Sequence, residues 1–333
     1  MSYTIADSTD QIEVLKKYAK LLYIPILYYL IKDEYVKNKC INFFLTGCGI
    51  ILLFSYAKYL NIIDPSLVAE YLDIRYQSKL LPGVTVFQHS IVHGIVLSFF
   101  SYLMAFRFSQ NKNLIFLLIS ILGFCNVIFL NNSRAAYITA IILIFIAILK
   151  FVRKPKTKIL ILLITFLTLT FGILNNNTFK HRISSALNEF SYYNNNEYIN
   201  SIGLRLFWAK IGLYNLSKSP LYGTGVGSFR ENSINYLDKH NLNALDNYSD
   251  IVTPNPHNEF ISISTQLGLM GLLIYTLFLL YLFIYSFGTD YGIAVFAIIS
   301  TASFSNTLFY DNILGIFIIL IITLGISYKN HSN

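Results

Sequence analysis

Apolar runs of fifteen to twenty-eight residues alternate along the chain with short polar breaks. Eight such runs are free of charged side chains, from "INFFLTGCGIILLFSYA" near the start to "ILGIFIILIITLGIS" near the end. A membrane-crossing helix needs about 17–25 mostly apolar residues, so the pattern predicts eight transmembrane helices. Five of them fall at about 41–60, 87–107, 113–130, 135–151 and 158–175, and the rest lie within 259–333. A ninth segment, about 18–31 ("YAKLLYIPILYYLI"), is apolar over a shorter length and carries lysines and a proline; it reads as a short span or an interfacial helix. The fold class is therefore an all-α polytopic integral membrane protein with 8–9 transmembrane helices and one large loop. Its parts are an N-terminal transmembrane bundle (1–175), a polar loop (176–258) and C-terminal transmembrane helices (259–333).

Composition supports that division. Of 333 residues, 55% are hydrophobic and 13% charged, about half the usual charged fraction of a soluble domain, near 25%. The first twenty residues lack an apolar core, so no cleavable signal peptide is expected. Cys40, Cys48 and Cys125 lie in or beside apolar runs, which favours buried thiols over a disulfide framework.

Charge sets the direction of threading. Lysine and arginine in short loops mark the cytoplasmic side, and "KFVRKPKTK" (150–158) carries five of them. With that loop inside, the segments near Arg107 and Lys112 and at 32–39 are inside as well, while 61–86, "NNSRAAY" and 176–258 face outside. The formal net charge of +8 is thus a topogenic and anionic-lipid signal, and nothing points to nucleic acid. Ion-coupled transporters place ionisable groups at mid-membrane depth; here they stop at the span ends, with His89 and His93 the nearest exceptions.

Candidate chemistry gathers on the outside face. Arg134 begins a span after polar "NNS", where a helix N-terminus attracts anions; it reads either as an interfacial arginine among lipid headgroups or as a phosphate ligand. Arg205 stands one turn before Trp208 in a predicted amphipathic helix, about 203–217, with Leu204, Phe207, Trp208 and Ile211 at helical spacing. It is either a solvated face charge or a second anion ligand. "GTGVGSF" lacks the lysine and hydroxyl of a phosphate-binding loop and follows no strand, so a tight turn is the expectation. No metal-ligand spacing is present. His257 follows Pro254 and Pro256 just before a helix with a polar stripe (Glu259, Ser262, Gln266). An imidazole there is a structural interfacial group or a base able to take a proton from a hydroxyl.

Together these motifs resemble the O-antigen ligase and polymerase family of bacterial envelope glycan enzymes. His257–Asn258, nine residues, Gly268, two residues and Gly271 resemble the ligase signature; "SRAAY" resembles the family's Ser-Arg start to a span. "RLFWAKIGLYNLSKSPLYGTGVGSF" is similar to its Arg-x-x-Trp helix and following glycine turn, and "LYIPILYYLIKDEYVKNKCINFFL" and "VFQHSIVHGIVLSFF" to earlier spans. Family members usually have more spans, so some early helices are expected to be missing here.

The resemblance implies a GT-C-like fold in the bacterial inner membrane, multi-pass, with the large loop in the periplasm. It implies an undecaprenyl-diphosphate-linked glycan donor and a lipid A core or other hydroxyl acceptor, with no cofactor, nucleotide sugar or metal. Arg134 and Arg205 would bind the diphosphate, with Asn258 also at the substrate and His257 deprotonating or orienting the acceptor. Ligation to lipid A core is the first reading. The same parts serve an O-antigen polymerase or a protein O-oligosaccharyltransferase, and a reading of another class is a non-catalytic transporter of the lipid-linked glycan or an assembly partner.

Overall fold

A computed structural model describes residues 8–63, 84–86, 89–175, 184, 201–242, 248–286 and 289–329. Most of the predicted outside loop 61–86, and all of 176–200 except one residue, lie outside the described residues. Among the described residues every regular element is helical, and the protein is an all-α polytopic membrane protein.

In chain order the helices are α1 (Ser8–Tyr18), which runs through a 3-10 turn (Ala19–Leu22) into α2 (Tyr23–Ile31), then α3 (Glu34–Tyr59), α4 (Ser90–Asn111) and α5 (Leu114–Cys125). A π-helical turn (Asn126–Leu130) extends α5; α6 (Arg134–Phe151) and α7 (Pro155–Asn175) follow. The polar region supplies α8 (Ser201–Lys218), α9 (Phe229–Lys239) and α10 (Tyr248–Ile251), and the chain closes with α11 (Glu259–Ser286), α12 (Asp290–Ser303) and α13 (Asn312–Lys329). Five helices, α3, α4, α6, α7 and α11, are long and apolar enough to cross a membrane among the described residues; α5 with its π turn, α12 and α13 are shorter apolar helices.

The polar breaks in the sequence become caps. Asp33 accepts the Val36 N–H at 3.0 Å ahead of α3, Asn113 the Ile115 N–H at 3.0 Å ahead of α5, and Ser133 the Ala136 N–H at 3.3 Å ahead of α6. Such caps satisfy donors a helix cannot pair internally. At the other end of α4, Lys112 takes a left-handed φ of 55° and ends the helix.

The chain forms two compact units. One comprises 26–180, 286–301 and 321–333. Its centre is α4, buried at every position from Val92 to Met104. Small residues let its neighbours approach: a Cβ on Gly94 would stand 2.3 Å from the Ala136 Cβ, and one on Gly123 would stand 2.1 Å from the Ser101 Oγ. Without a hydrophobic drive between helices in lipid, this close packing is what holds them. By contrast, the apolar stretch of α7 has no buried residue.

The other unit comprises 1–25, 181–285 and 302–320. Phe207, Trp208 and Ile211 of α8, Phe229, Tyr236 and Leu237 of α9, and Ile251 of α10 form its core. Burial of side chains this large stabilises by about 1.5–3 kcal/mol each. N-terminal α1 belongs here, with Asp10 on Arg230 at 3.4 Å and Lys17 over the Tyr310 ring at 3.5 Å.

One apolar run behaves differently from its sequence. "YGIAVFAIISTASFSNTLF" reads as a single span, yet α12 stops at Ser303 and 304–311 form turns before α13. Asn306 explains the break: its side-chain oxygen accepts the N–H of Thr307 at 3.0 Å, a local bond that competes with helix continuation.

Candidate functional site

A hydrogen-bonded polar cluster lies in the second unit, where the α8 face, the 253–259 segment and the 304–309 turns meet. On α8, Arg205 precedes Trp208 by three residues, so the two project from one face with Cβ atoms about 5–6 Å apart. Trp208 is fixed by its buried ring and by its Nε1–H, which donates to the Ile251 carbonyl at 3.1 Å.

Against that indole rests His257, ring centres 5.3 Å apart and planes inclined by 35°. The backbone leading to it is unusual. Pro254 and Pro256 flank Asn255, and Asn255 Oδ1 accepts both the His257 N–H at 2.8 Å and the Thr307 hydroxyl. His257 itself takes a left-handed φ of 50°, which costs a side-chain-bearing residue about 1–2 kcal/mol. The bonds around Asn255 hold the conformation in place, and strain of this kind gathers at functional sites.

The imidazole's protonation pattern follows from its partner. His257 Nδ1 lies 3.3 Å from Asn306 Oδ1, and that same atom accepts the Thr307 N–H. A backbone N–H only donates, so the atom is the amide oxygen and not the nitrogen. Nδ1 must therefore carry the hydrogen. In the neutral ring the lone pair then sits on Nε2, the arrangement of a base held in one tautomer.

The residues from Asn258 to Gly271 have physical roles of their own. Asn258 caps α11, its Oδ1 accepting the Ile261 N–H at 3.0 Å while its Nδ2 donates to the Phe304 carbonyl at 3.2 Å. Glu259 is fully buried and its Oε1 takes the Tyr18 hydroxyl at 3.1 Å. Farther along, Gly268 breaks the α11 ladder with φ 65° and ψ −161°. The freed backbone groups pair with the glycine turn after α8. Thr224 and Gly225 donate to the Thr265 and Gln266 carbonyls at 2.9 and 3.0 Å, while Leu269 and Met270 donate to Pro220 and Leu221 at 2.8 and 3.2 Å. Gln266, on the predicted polar stripe, accepts the Gly227 N–H at 2.7 Å. The "GTGVG" segment is thus a tight turn docked on a broken helix; irregular backbone in a membrane protein needs this satisfaction.

Of the predicted site residues, Arg205, His257 and Asn258 belong to this unit, and Asn258 is engaged in capping. Arg134 is the first residue of α6 in the other unit. Beside it Ser133 caps the helix, and Asn131 donates from Nδ2 to the Ser90 carbonyl at 2.9 Å. The sequence reading did not select Asn306, Asn255 or Thr307 as site residues. The signal for Asn306 and Thr307 was a polar pair inside an apolar run, and for Asn255 its place between two prolines. Among the described residues no cluster of three His, Cys, Asp or Glu is placed to hold a metal ion.

Comparison with known proteins finds similar sequences over this region. A family model described as O-antigen ligase matches residues 115–276, the interval that holds Arg134, Arg205, His257 and Gly268. The O-antigen ligase of Escherichia coli (strain K12) is 31% identical over 183 residues, covering 53% of this chain and 42% of that relative. The chain therefore spans less than half the length of the curated relative it matches. Over residues 115–276 the chain is thus similar to the O-antigen ligase family.

Proposed function

We propose that the protein transfers a glycan from undecaprenyl diphosphate to an acceptor hydroxyl at the periplasmic face of the inner membrane, ligating O-antigen to lipid A core. The observation that carries this reading is the imidazole of His257, seated on Trp208 and held by Asn306 in the tautomer that leaves Nε2 with its lone pair.

In the proposed reaction Nε2 accepts the proton of the acceptor hydroxyl as its oxygen attacks the anomeric carbon. The bond from that carbon to the diphosphate oxygen breaks, and undecaprenyl diphosphate leaves with the bonding electrons, inverting the centre. Negative charge grows on the leaving group, and preorganised cations stabilise it best in a partly dry site. Arg205 and Arg134 supply those cations; a guanidinium fork matches two phosphate oxygens at once. Diphosphate charge met by two arginines needs neither metal nor nucleotide sugar.

Arg205→Lys keeps the charge but loses the fork. Donor binding should weaken about tenfold, a loss of about 1.4 kcal/mol, read by titration with lipid-diphosphate donor. Unchanged donor affinity would reject a bidentate role.

Asn306→Asp tests the tautomer assignment. A carboxylate beside Nδ1–H favours the imidazolium and raises the ring's pKa. The base acts only when neutral, so the acid limb of the pH–rate profile should move to higher pH. Asn306→Ala should instead lower the rate across the profile. An Asp variant with an unmoved acid limb would separate Asn306 from the working base.

The acceptor is settled by offering purified protein one lipid-linked donor with three acceptors. Label on lipid A core is the expected outcome. A ladder on the lipid carrier would make the chain a polymerase, label on protein hydroxyls an oligosaccharyltransferase, and no transfer to any acceptor a non-catalytic transporter or assembly partner.

A further inference from the structure

In the first unit, a cavity of about 500 Å³ opens where α4 turns into α5 and α6 turns into α7. Its lining is Ser109, Gln110 and Lys112 from the first turn, Phe151 to Lys154 from the second, and Thr157 on the first turn of α7. That size falls within the range of about 300–1,000 Å³ typical of small-ligand sites.

Three cations line it, and no carboxylate does. Lys112 donates from Nζ to the Ser109 carbonyl at 2.7 Å, keeping two protons for another acceptor. Arg153 and Lys154 are exposed, and their side chains make no hydrogen bond or ion pair among the described residues. Nearby cations are engaged: Lys150 pairs with Asp290 at 3.4 Å, and Lys158 donates to the Leu149 carbonyl at 2.9 Å. From 74 to 188 the sequence has no aspartate or glutamate, so the loops themselves supply no counter-charge. The N-terminus of the 21-residue α7 adds its positive dipole end beside the Thr157 hydroxyl. An anion with several oxygens is what these groups would take.

A phosphate could reach the cavity as a free ion or as part of a lipid, and α7 decides between them. Its apolar stretch from Pro155 to Gly172 has no buried residue, with Ile159 67% and Phe166 61% exposed. This outward hydrocarbon surface begins at the cavity's rim, and half-buried Phe151 and Val152 contribute apolar lining. We propose that the cavity holds the phosphodiester headgroup of an anionic membrane phospholipid whose acyl chains lie along α7. Arg153 forks the phosphodiester, Lys112 and Lys154 neutralise it, and Thr157 donates to a remaining oxygen. Basic pockets between transmembrane helices select such headgroups.

Delipidated full-length protein is titrated with phosphatidylglycerol, with phosphatidylcholine and with inorganic phosphate, following thermal unfolding in detergent. Saturable stabilisation by phosphatidylglycerol alone is expected. Equal effects of the two lipids, no effect of either, or saturable binding of phosphate without lipid would overturn the proposal. In parallel, Lys112→Gln/Arg153→Gln/Lys154→Gln is compared with Lys16→Gln/Lys32→Gln/Lys39→Gln, which removes the same charge elsewhere. Each cation near an anionic surface contributes about fivefold, so the pocket variant should lose roughly 100-fold in phosphatidylglycerol affinity while the control keeps it. Equal losses in both would assign the preference to net charge and contradict a site. If the pocket variant does not fold, the titration of the unaltered protein still decides.

Discussion

His257→Ala should abolish transfer from a lipid-diphosphate donor while leaving donor binding intact. Removing a positioned general base typically costs about 10²- to 10⁴-fold in rate. Glu259, the nearest carboxylate in sequence, is fully buried and occupied by the Tyr18 hydroxyl, so it cannot reach an acceptor without unmaking its own contacts. The substitution also removes a ring from the Trp208 face, so folding must be checked by thermal unfolding alongside the assay. His257→Gln keeps a hydrogen-bonding side chain of similar reach but no base near neutral pH, and it should fail equally. Full transfer by either variant would take His257 out of the reaction. Loss of donor binding together with transfer would instead make it a donor ligand.

The second large effect concerns folding. Gly268→Ala should destabilise the protein by about 3 kcal/mol or more, roughly a 6 °C or larger fall in midpoint for a chain of this order. Two causes act together. The backbone at φ 65° and ψ −161° is open almost only to glycine. An added Cβ would also stand 2.4 Å from the Leu221 oxygen and 2.6 Å from the Gly223 nitrogen, and these backbone atoms cannot move without breaking the docked turn. Gly225→Ala separates the two causes, since Gly225 has φ 101° but nothing within 4 Å of its Cβ; its loss should be smaller. Gly47→Ala, in the open on α3, should be neutral or slightly stabilising, as alanine favours helix by about 1 kcal/mol over glycine. Equal midpoints for the Gly268 and Gly47 variants would show that the broken helix does not depend on its glycine.

Physical reach explains what the sequence made legible. Most charge-free runs fall on helices because apolar length is a local property; the run that ends in "SFSNTLF" breaks after Ser303. Arg205 and Trp208 were readable as one face because three residues along a helix always are. The polar stripe of Glu259, Ser262 and Gln266 was equally visible, yet its purpose was not. Its partners, the N–H of Gly227 and the Tyr18 hydroxyl, come from elsewhere in the chain, and no local pattern encodes them. Gly268 stood out as a letter of a signature without revealing that the helix breaks there. Asn306 was hidden most completely, because two polar residues in an apolar run look like a tolerated interruption. Its importance appears only when the turn it creates brings its oxygen to His257.

The proposed function rests on the donor's diphosphate being met by Arg134 and Arg205, with His257 at the acceptor. A lipid-diphosphate donor carrying a photoreactive group beside the diphosphate, irradiated on the purified protein and mapped by mass spectrometry, tests this directly. Adducts in the peptide around Arg134 and also in peptides around Arg205 or His257 are the predicted result. Adducts confined to one of these regions, with the other unlabelled at saturating donor, would contradict a common site.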